Sequence, residues 1–261
     1  MKISFAKYHG AGNDFIIIDN RSMQWAPTTA QVSFLCNRHM GIGADGLMLL
    51  SEKSGFDFAM TYYNSDGHEG TMCGNGGRCM TAFAKSLGLV GCMANFHAAD
   101  GIHHSEIFGN QTVCVYRLKM TDTRIGKIYD DGVFVNTGSP HFVKIVEDVA
   151  NTDIVNAGKK LCNDVRFAPE RTNVDFVEIQ GDGIFVRTYE RGVDDETLSC
   201  GTGVTASAMV CAFRDPVNQG IYSIKTLGGN LKVSFTQTGE LFTDIWLEGP
   251  VMFVFTGEVS V

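Results

Sequence analysis

Two short segments of the same form, Cys-Gly-x-Gly, lie nearly half a chain length apart in this sequence of 261 residues. The first begins at Cys73 and the second at Cys200. Each follows a strand-like run and precedes a helix-like segment with small side chains. A supersecondary unit that recurs at such a distance is typical of an internal duplication. The repetition predicts two similar α/β halves, and any proposed activity has to explain two matching cysteines.

Hydrophobic patterns predict the elements around each turn. In the first half we expect two strands joined by a glycine turn, a helix over residues 29–39, and a second helix over residues 77–87. In the second half we expect a helix over 151–162, capped by Asn151 or Thr152, then a hairpin around Gly-Asp-Gly and a helix after Cys200. The segment from residue 221 to the end is predicted to be mostly strands.

Charge and hydropathy restrict the class of protein. The net charge of −8 argues against nucleic-acid binding and against a membrane-surface role, because both require a basic face. No segment approaches the ~20 consecutive apolar residues of a membrane span. The N-terminus lacks the pattern of a secretory signal, so we expect a cytoplasmic protein.

Metal binding is not predicted. The nearest metal-like spacing is Cys36-x-x-His39, which has no second pair. Most of the eight cysteines are expected to be small core residues.

A Cys-Gly turn at a helix start can support acid–base chemistry. The first backbone N–H groups of a helix lack partners, and glycines let a carboxylate approach them closely. The same partial positive charge lowers the pKa of a thiol from ~8.5 into the range ~3.5–7.5. Two such turns, related by a pseudo-twofold axis, place one thiol on each face of an α-carbon. A thiolate then removes the α-proton while a thiol protonates the opposite face, as racemisation requires.

Other functions fit the cysteine pattern less well. Neither turn carries the Gly-Lys-Ser/Thr of a phosphate-binding loop, and "GNGGRC" does not match a dinucleotide-binding motif. A cysteine hydrolase could pair a thiol with His141, but hydrolysis leaves the second cysteine unexplained. A redox-active cysteine pair remains the main alternative from the residues alone.

The sequence resembles the diaminopimelate epimerase family over nearly its whole length. The motifs that carry the resemblance are "GAGNDFIIID" (10–19), "RHMGIGADGLMLL" (38–50), "YYNSDGHEGTMCGNGGRC" (62–79), "TGSPH" (137–141), "RTNVDFV" (171–177), "ERG" (190–192) and "CGTGVTA" (200–206). "CGNGGRC" and "ERG" distinguish this family from the related proline racemases.

The resemblance implies an α+β fold with two pseudo-symmetric halves, each a sheet wrapped around a central helix. The N-terminal half would comprise residues 1–117 with the C-terminal strand 252–261, and the other half residues 118–251. The implied activity interconverts L,L- and meso-2,6-diaminopimelate without pyridoxal phosphate or metal. The implied assembly is a homodimer.

The resemblance also implies roles for particular residues. Cys73 and Cys200 would be the acid–base pair, and His141 and Glu190 would tune their pKa values. The residues implied to bind the substrate are Gly74, Asn75, Gly201 and Thr202 at its reacting carboxylate and Asn13, Asn64, Asn173, Glu190 and Arg191 at its far end. Arg191 suits a carboxylate because a guanidinium binds it through two parallel hydrogen bonds.

Three departures from the family pattern concern the far end of the substrate. Ser139 replaces an asparagine, Gly46 replaces a glutamine of many members, and the segment between Arg191 and Cys200 is one residue longer. The Ser139 and Gly46 differences keep open an epimerase of another diamino or polar amino acid. A non-catalytic amino-acid-binding relative is a further alternative, against which the retention of both cysteines argues.

Overall fold

The computed structural model describes residues 1–109, 114–215 and 219–261, which form seventeen strands and four α-helices. The strands are β1 (Lys2–Gly10), β2 (Asn13–Asp19), β3 (Gly46–Ser51), β4 (Phe58–Asn64), β5 (Met93–Ala98), β6 (Gly101–Gly109), β7 (Cys114–Lys119), β8 (Thr123–Tyr129), β9 (Gly132–Asn136), β10 (Pro140–Ile145), β11 (Asn173–Gln180), β12 (Gly183–Glu190), β13 (Asp195–Thr197), β14 (Gln219–Thr226), β15 (Gly229–Thr238), β16 (Leu241–Pro250) and β17 (Met252–Ser260). The helices are α1 (Thr29–Cys36), α2 (Gly74–Ser86), α3 (Ile154–Cys162) and α4 (Gly201–Arg214).

The chain forms two compact units. The first comprises Met1–Leu118 with Gly249–Val261, and the second comprises Lys119–Glu248. In the first unit the strands pair in the order β17, β1, β2, β3, β4, β5, β6, β7. The β2–β3 and β4–β5 pairs are parallel and the others antiparallel.

The second unit repeats this pattern of pairing. Its strands follow in the order β8, β9, β10, β11, β12, β14, β15, β16, and β16 pairs back with β8. The β10–β11 and β12–β14 pairs are parallel and the others antiparallel. Along the chain, α1 and α3 occupy corresponding positions between the strands of the two units, and so do α2 and α4. The predicted pair of pseudo-symmetric α+β halves is therefore confirmed.

Each unit encloses one helix. Helix α2 contacts β1, β2, β3 and β6, and α4 contacts β10, β11, β12, β14 and β15. Both helices are consequently buried around almost their whole circumference, α2 from Gly74 to Ala84. Small residues suit this environment because strands approach the helix from several sides.

Several boundaries differ from the predicted ones. Helix α1 ends at Cys36 instead of residue 39. Helix α2 begins at Gly74 instead of residue 77, because its glycine-rich first turn carries no apolar periodicity. The cap of α3 is Asp153, whose side chain accepts a hydrogen bond from the Asn156 N–H, and not Asn151 or Thr152. The hairpin at 181–183 is confirmed, with Gln180 paired to Gly183.

Among the residues that the structure describes, none of the helices is long and apolar enough to cross a membrane. No group of three or more His, Cys, Asp or Glu side chains there could hold a metal ion. Of the Cys36-x-x-His39 pattern, Cys36 is buried and His39 is exposed.

Candidate active site

The two cysteines occupy the same local position in their units. Cys73 is the N-cap residue of α2 and Cys200 is the N-cap residue of α4. Both backbones are extended there. The N–H groups of Gly74–Asn75 and of Gly201–Thr202 lie in the first turns of these helices, where a carboxylate can bind.

In the first unit the structure groups Asn13 with Cys73 and Asn75. The Asn13 Oδ1 lies 3.5 Å from Cys73 Sγ and accepts a 3.3 Å hydrogen bond from Asn75 Nδ2. Asn13 Nδ2 donates to Asp45 Oδ2 at 2.7 Å, which fixes the orientation of the amide. Asn13 is therefore placed beside the cysteine at the end of α2.

A cluster of charged side chains holds Asp45, the partner of Asn13, in place. Arg38 contacts the carboxylates of both Asp14 and Asp45, and Lys7 Nζ lies 2.7 Å from Asp14 Oδ2. Burial raises the pKa of Asp14, but hydrogen bonds from Arg38 and Lys7 outweigh it and bring that pKa to about 2. Asp14 thus stays ionised and holds the loop that carries Asp45.

Asn64 lies at the end of β4, directly opposite Gly46 on β3. A side-chain carbon at position 46 would overlap the Tyr62 ring. The tyrosine therefore fills the space that a glutamine would need, which gives the Gly46 departure a physical reason.

In the second unit Cys200 is buried and protonated. Burial raises its pKa well above the ordinary value, and the charges of Glu190 and Asp175 raise it further, while the hydrogen-bond contacts with Thr202 and the Gly203 N–H oppose this rise. The expectation that the helix end lowers the thiol pKa is wrong for Cys200. Desolvation with two nearby carboxylates outweighs the partial charge of the helix.

A buried chain of hydrogen bonds connects Cys200 to Asp175. Thr202 Oγ1 lies 3.4 Å from Cys200 Sγ and 2.8 Å from His141 Nε2. His141 Nδ1 lies 2.7 Å from Asp175 Oδ2, and both side chains are fully buried. Because a carboxylate only accepts, Nδ1 carries a proton, and in the neutral form of the ring Nε2 accepts from Thr202. The threonine oxygen can then accept the proton of the Cys200 thiol.

Asp175 and its partner Thr188 are not predicted from the sequence as site residues. Thr188 lies opposite Asp175 on β12, and its hydroxyl donates to Asp175 Oδ1 at 2.7 Å. The feature of the sequence that points to Asp175 is a single acidic residue between the apolar residues of the segment "NVDFV". A buried carboxylate requires partners, so this position is a candidate for a functional pair.

Asn173 is buried, and its amide contacts protein groups on both sides. Its Nδ2 donates to Ser139 Oγ at 2.8 Å and to the Pro140 carbonyl at 3.0 Å. Its Oδ1 accepts from the Arg191 N–H at 2.8 Å. Asn173 therefore connects the start of β10 with the turn that carries Arg191.

Arg191 and Glu190 are both half-buried at the end of β12. Arg191 Nη1 donates to the Glu170 carbonyl at 2.7 Å, and the side chain borders a cavity of about 520 Å³ within the second unit. The cavity also borders Asn136 and Pro140. A guanidinium in this position can receive a carboxylate.

The second glycine of each Cys-Gly-x-Gly motif gives a matched pair of predictions. A Cβ at Gly203 would clash with Asp175 Oδ1, which Thr188 holds in place. A Cβ at Gly76 would meet the flexible end of Met48 at 3.1 Å. We expect Gly203→Ala to lower the free energy of unfolding by about 2–3 kcal/mol and Gly76→Ala to change it by about 1 kcal/mol or less.

Urea denaturation of both variants checks this pair. Equal effects at the two positions would contradict the fixed placement of Asp175 against the first turn of α4.

Solved structures with the same fold come from racemases and related proteins. A Bacillus anthracis phenazine biosynthesis protein of the PhzF family superimposes with a TM-score of 0.80 at 15% identity, with 100% of each chain covered. A probable proline racemase from Agrobacterium radiobacter gives 0.74 at 17% identity, covering 99% of this chain and 93% of the other. A hydroxyproline epimerase from Agrobacterium vitis gives 0.73 at 16%, covering 99% and 92%. The chain thus has the fold shared by these proteins.

Sequence comparison identifies the family. The family model for diaminopimelate epimerase matches residues 5–122 and 133–254. A diaminopimelate epimerase of Flavobacterium psychrophilum is 47% identical over 95% of this chain and 97% of its own, and one of Chlorobaculum tepidum is 40% identical over 96% and 99%. The chain belongs to the diaminopimelate epimerase family.

Proposed function

We propose that this protein is an isomerase that interconverts L,L- and meso-2,6-diaminopimelate, a step of lysine and peptidoglycan-precursor biosynthesis. The observation that carries the proposal is the matching pair of N-cap cysteines, Cys73 and Cys200, on two enclosed helices. Family membership and full-length relatives named diaminopimelate epimerase support the choice of substrate.

The proposed reaction uses one thiol for each face of the α-carbon. The Cys73 thiolate removes the α-proton, and the Cys200 thiol gives its proton to the opposite face. Cys73 ends as a thiol and Cys200 as a thiolate, so the reverse reaction uses the same two groups with their roles exchanged. The N–H groups of Gly74, Asn75, Gly201 and Thr202 hold the reacting carboxylate and stabilise the charge that moves into it.

His141 and Asp175 keep Cys200 ready to give and regain a proton. The Thr202 hydroxyl can pass a proton between Cys200 and His141 because it contacts both groups. Glu190 adds negative charge near the same thiol, which favours its protonated form. Cys200 therefore begins the L,L-to-meso reaction as the acid.

The far end of the substrate carries an ammonium and a carboxylate. We assign the carboxylate to Arg191, and the ammonium to Glu190 with the amide oxygens of Asn13 and Asn64. Asn173 fixes the turn that carries Arg191.

Arg191→Lys tests the assignment of the far carboxylate. We expect kcat/KM to fall by about 10- to 100-fold, because an ammonium cannot reproduce two parallel hydrogen bonds to a carboxylate. Steady-state kinetics provide the measurement. Arg171→Lys is the matched control, since Arg171 is already paired with Asp194. If Arg191→Lys kept kcat/KM within a factor of two of the wild type, Arg191 would not be the group that binds the far carboxylate.

An inversion assay on a panel of amino acids tests the proposed substrate. Purified protein is incubated separately with L,L-diaminopimelate, L-lysine and L-ornithine, and chiral chromatography follows the stereoisomers. We expect inversion of diaminopimelate only, because the other two lack a second carboxylate for Arg191. Preferential inversion of another diamino acid would favour the alternative that Gly46 and Ser139 leave open. Binding without inversion would indicate a non-catalytic relative.

We further propose that the protein forms a homodimer through β17. Four consecutive apolar side chains of this strand, Met252 to Phe255, are 55%, 53%, 49% and 44% exposed although β17 is paired with β1. A contiguous apolar run of this kind is typical of an interface, and a second copy supplies a matching one about a twofold axis.

Phe253→Glu tests this interface. We expect the variant to sediment as a monomer, because the substitution places a charge within the proposed apolar contact. Ile221→Glu changes an equally apolar, 72% exposed position of β14 and should leave the assembly unchanged. A Phe253→Glu variant that sediments like the wild type would contradict the use of β17.

A further inference from the structure

The side chain of Arg78 is fully buried within the first unit, on helix α2. Its Nη2 donates to Asn75 Oδ1 at 2.8 Å and its Nη1 to the Gly74 carbonyl at 3.3 Å. Nε has no hydrogen-bond partner, and no carboxylate of the described residues forms an ion pair with the guanidinium. A buried cation without an anionic partner is costly, so its position needs an explanation.

Several charged side chains on the strands that contact α2 are paired with other groups. On β1 and β2, Lys7 and Asp14 pair with each other, and Asp14 also binds Arg38. On β6, His103 pairs with Asp100. On α2 itself, the titratable groups whose charge Arg78 feels are the Cys73 and Cys79 thiols.

Of these two thiols, Cys79 does not supply the missing anion. It is fully buried, and desolvation raises its pKa more than the charge of Arg78 lowers it. Cys79 therefore stays neutral. Cys73 is only partly buried, and it precedes the two residues that Arg78 contacts. The positive charge of Arg78 is directed at the end of α2 where Cys73 lies.

We propose that Arg78 is the internal counter-cation of the α2 turn, where it stabilises negative charge on the Cys73 sulfur and on the carboxylate bound by Gly74 and Asn75. The part that concerns the carboxylate rests on the proposed function. Arg78 acts through the first turn of α2 and does not itself touch substrate, so it is a positioning residue.

The chemistry of proton abstraction explains the value of a cation at this place. When Cys73 takes the α-proton, the electron pair of the C–H bond moves into the substrate carboxylate, which then carries additional negative charge. A fixed positive charge behind the binding N–H groups stabilises that state without any rearrangement. The thiolate that starts the reaction benefits from the same charge.

The corresponding end of α4 has the opposite charge. The carboxylate of Asp175 lies against Gly203 in the first turn, and Glu190 adds a second negative charge near Cys200. Two turns with the same sequence form thus have opposite surroundings, a cation behind Cys73 and carboxylates near Cys200. This difference favours negative charge at Cys73 and the protonated thiol at Cys200.

Alkylation of each cysteine as a function of pH tests the proposal without any turnover. The wild type and Arg78→Gln are treated with iodoacetamide between pH 5 and 10, and mass spectrometry measures the rate at each thiol. In the wild type we expect the midpoint for Cys73 to lie below the ordinary ~8.5 and that for Cys200 above it. In Arg78→Gln the Cys73 midpoint should rise by about one unit or more, with about tenfold slower alkylation at pH 7, while the Cys200 midpoint stays in place.

Lys85→Gln is the matched control, because it removes a cation from the last turn of the same helix. It should leave the Cys73 midpoint unchanged. An unchanged Cys73 midpoint in folded Arg78→Gln would overturn the proposal, as would an equal shift in Lys85→Gln. If circular dichroism shows Arg78→Gln to be unfolded, the pH dependence of Cys73 alkylation in the wild type tests the proposal instead. A wild-type Cys73 midpoint at or above ~8.5 would then overturn it. If the alkylation midpoints match these expectations but the protein does not invert diaminopimelate, only the proposed substrate is refuted.

Discussion

Cys73→Ala and Cys200→Ala are each expected to abolish epimerisation while the fold remains intact. In the proposed mechanism each thiol serves one face of the α-carbon, and neither thiol replaces the other. Loss of one general acid or base lowers a rate by about 100- to 10,000-fold. Polarimetry of L,L-diaminopimelate turnover provides the measurement, and circular dichroism checks folding.

The matched controls are Cys79→Ala and Cys211→Ala. Both residues are buried on the same two helices, and neither is an N-cap residue. We expect both variants to keep turnover within a factor of about two to three while losing about 1 kcal/mol of stability. If Cys73→Ala or Cys200→Ala kept more than a few per cent of wild-type turnover, that cysteine would not be one of the two acid–base groups.

Asp175→Asn is expected to lower kcat by about 100-fold or more with a smaller effect on KM. An asparagine amide that donates to His141 Nδ1 moves the imidazole proton to Nε2. The bond to Thr202 then reverses, because Nε2 becomes a donor, and the threonine oxygen is less available to the Cys200 proton. The pH dependence of kcat should change with it, which simple destabilisation would not cause.

Asp153→Asn is the control for this substitution. Asp153 caps α3 at the surface, and asparagine caps a helix equally well. Wild-type kcat and an unchanged pH profile in Asp175→Asn would show that the buried pair with His141 has no part in proton transfer.

The sequence predicts those parts of the fold that rest on local patterns. The Gly-Asp-Gly hairpin depends on turn residues between alternating strands, and it lies where expected. The sequence predicts a start of α2 three residues late because the glycines of its first turn carry no apolar pattern. The cap of α3 is not predicted correctly, because three successive polar residues there can all accept a hydrogen bond.

The residues of the candidate site also fall into two groups, those that local motifs predict and those that long-range strand pairing brings into place. The cysteines and their glycine turns are local motifs and could be found from the sequence. Asp175 gains its role from the registers of β10, β11 and β12, which bring His141 and Thr188 to its carboxylate. Arg78 resembles an ordinary helix-surface residue, and its burial follows from the strands that surround α2. Such environments arise from pairings between distant segments, so residue type alone does not predict them.

Epimerisation in heavy water tests the two-thiol mechanism most directly. The reaction starts with L,L-diaminopimelate and stops below about a tenth of conversion to equilibrium, and mass spectrometry measures deuterium in product and in remaining substrate. The mechanism predicts solvent deuterium in the product from the first turnovers, because the proton delivered by Cys200 exchanged with solvent before substrate bound. Remaining substrate should carry little deuterium, since the proton taken by Cys73 can return only to the face it left. Early product that retains the original hydrogen at the inverted carbon would contradict the mechanism, because a single base would then have carried the proton from one face to the other.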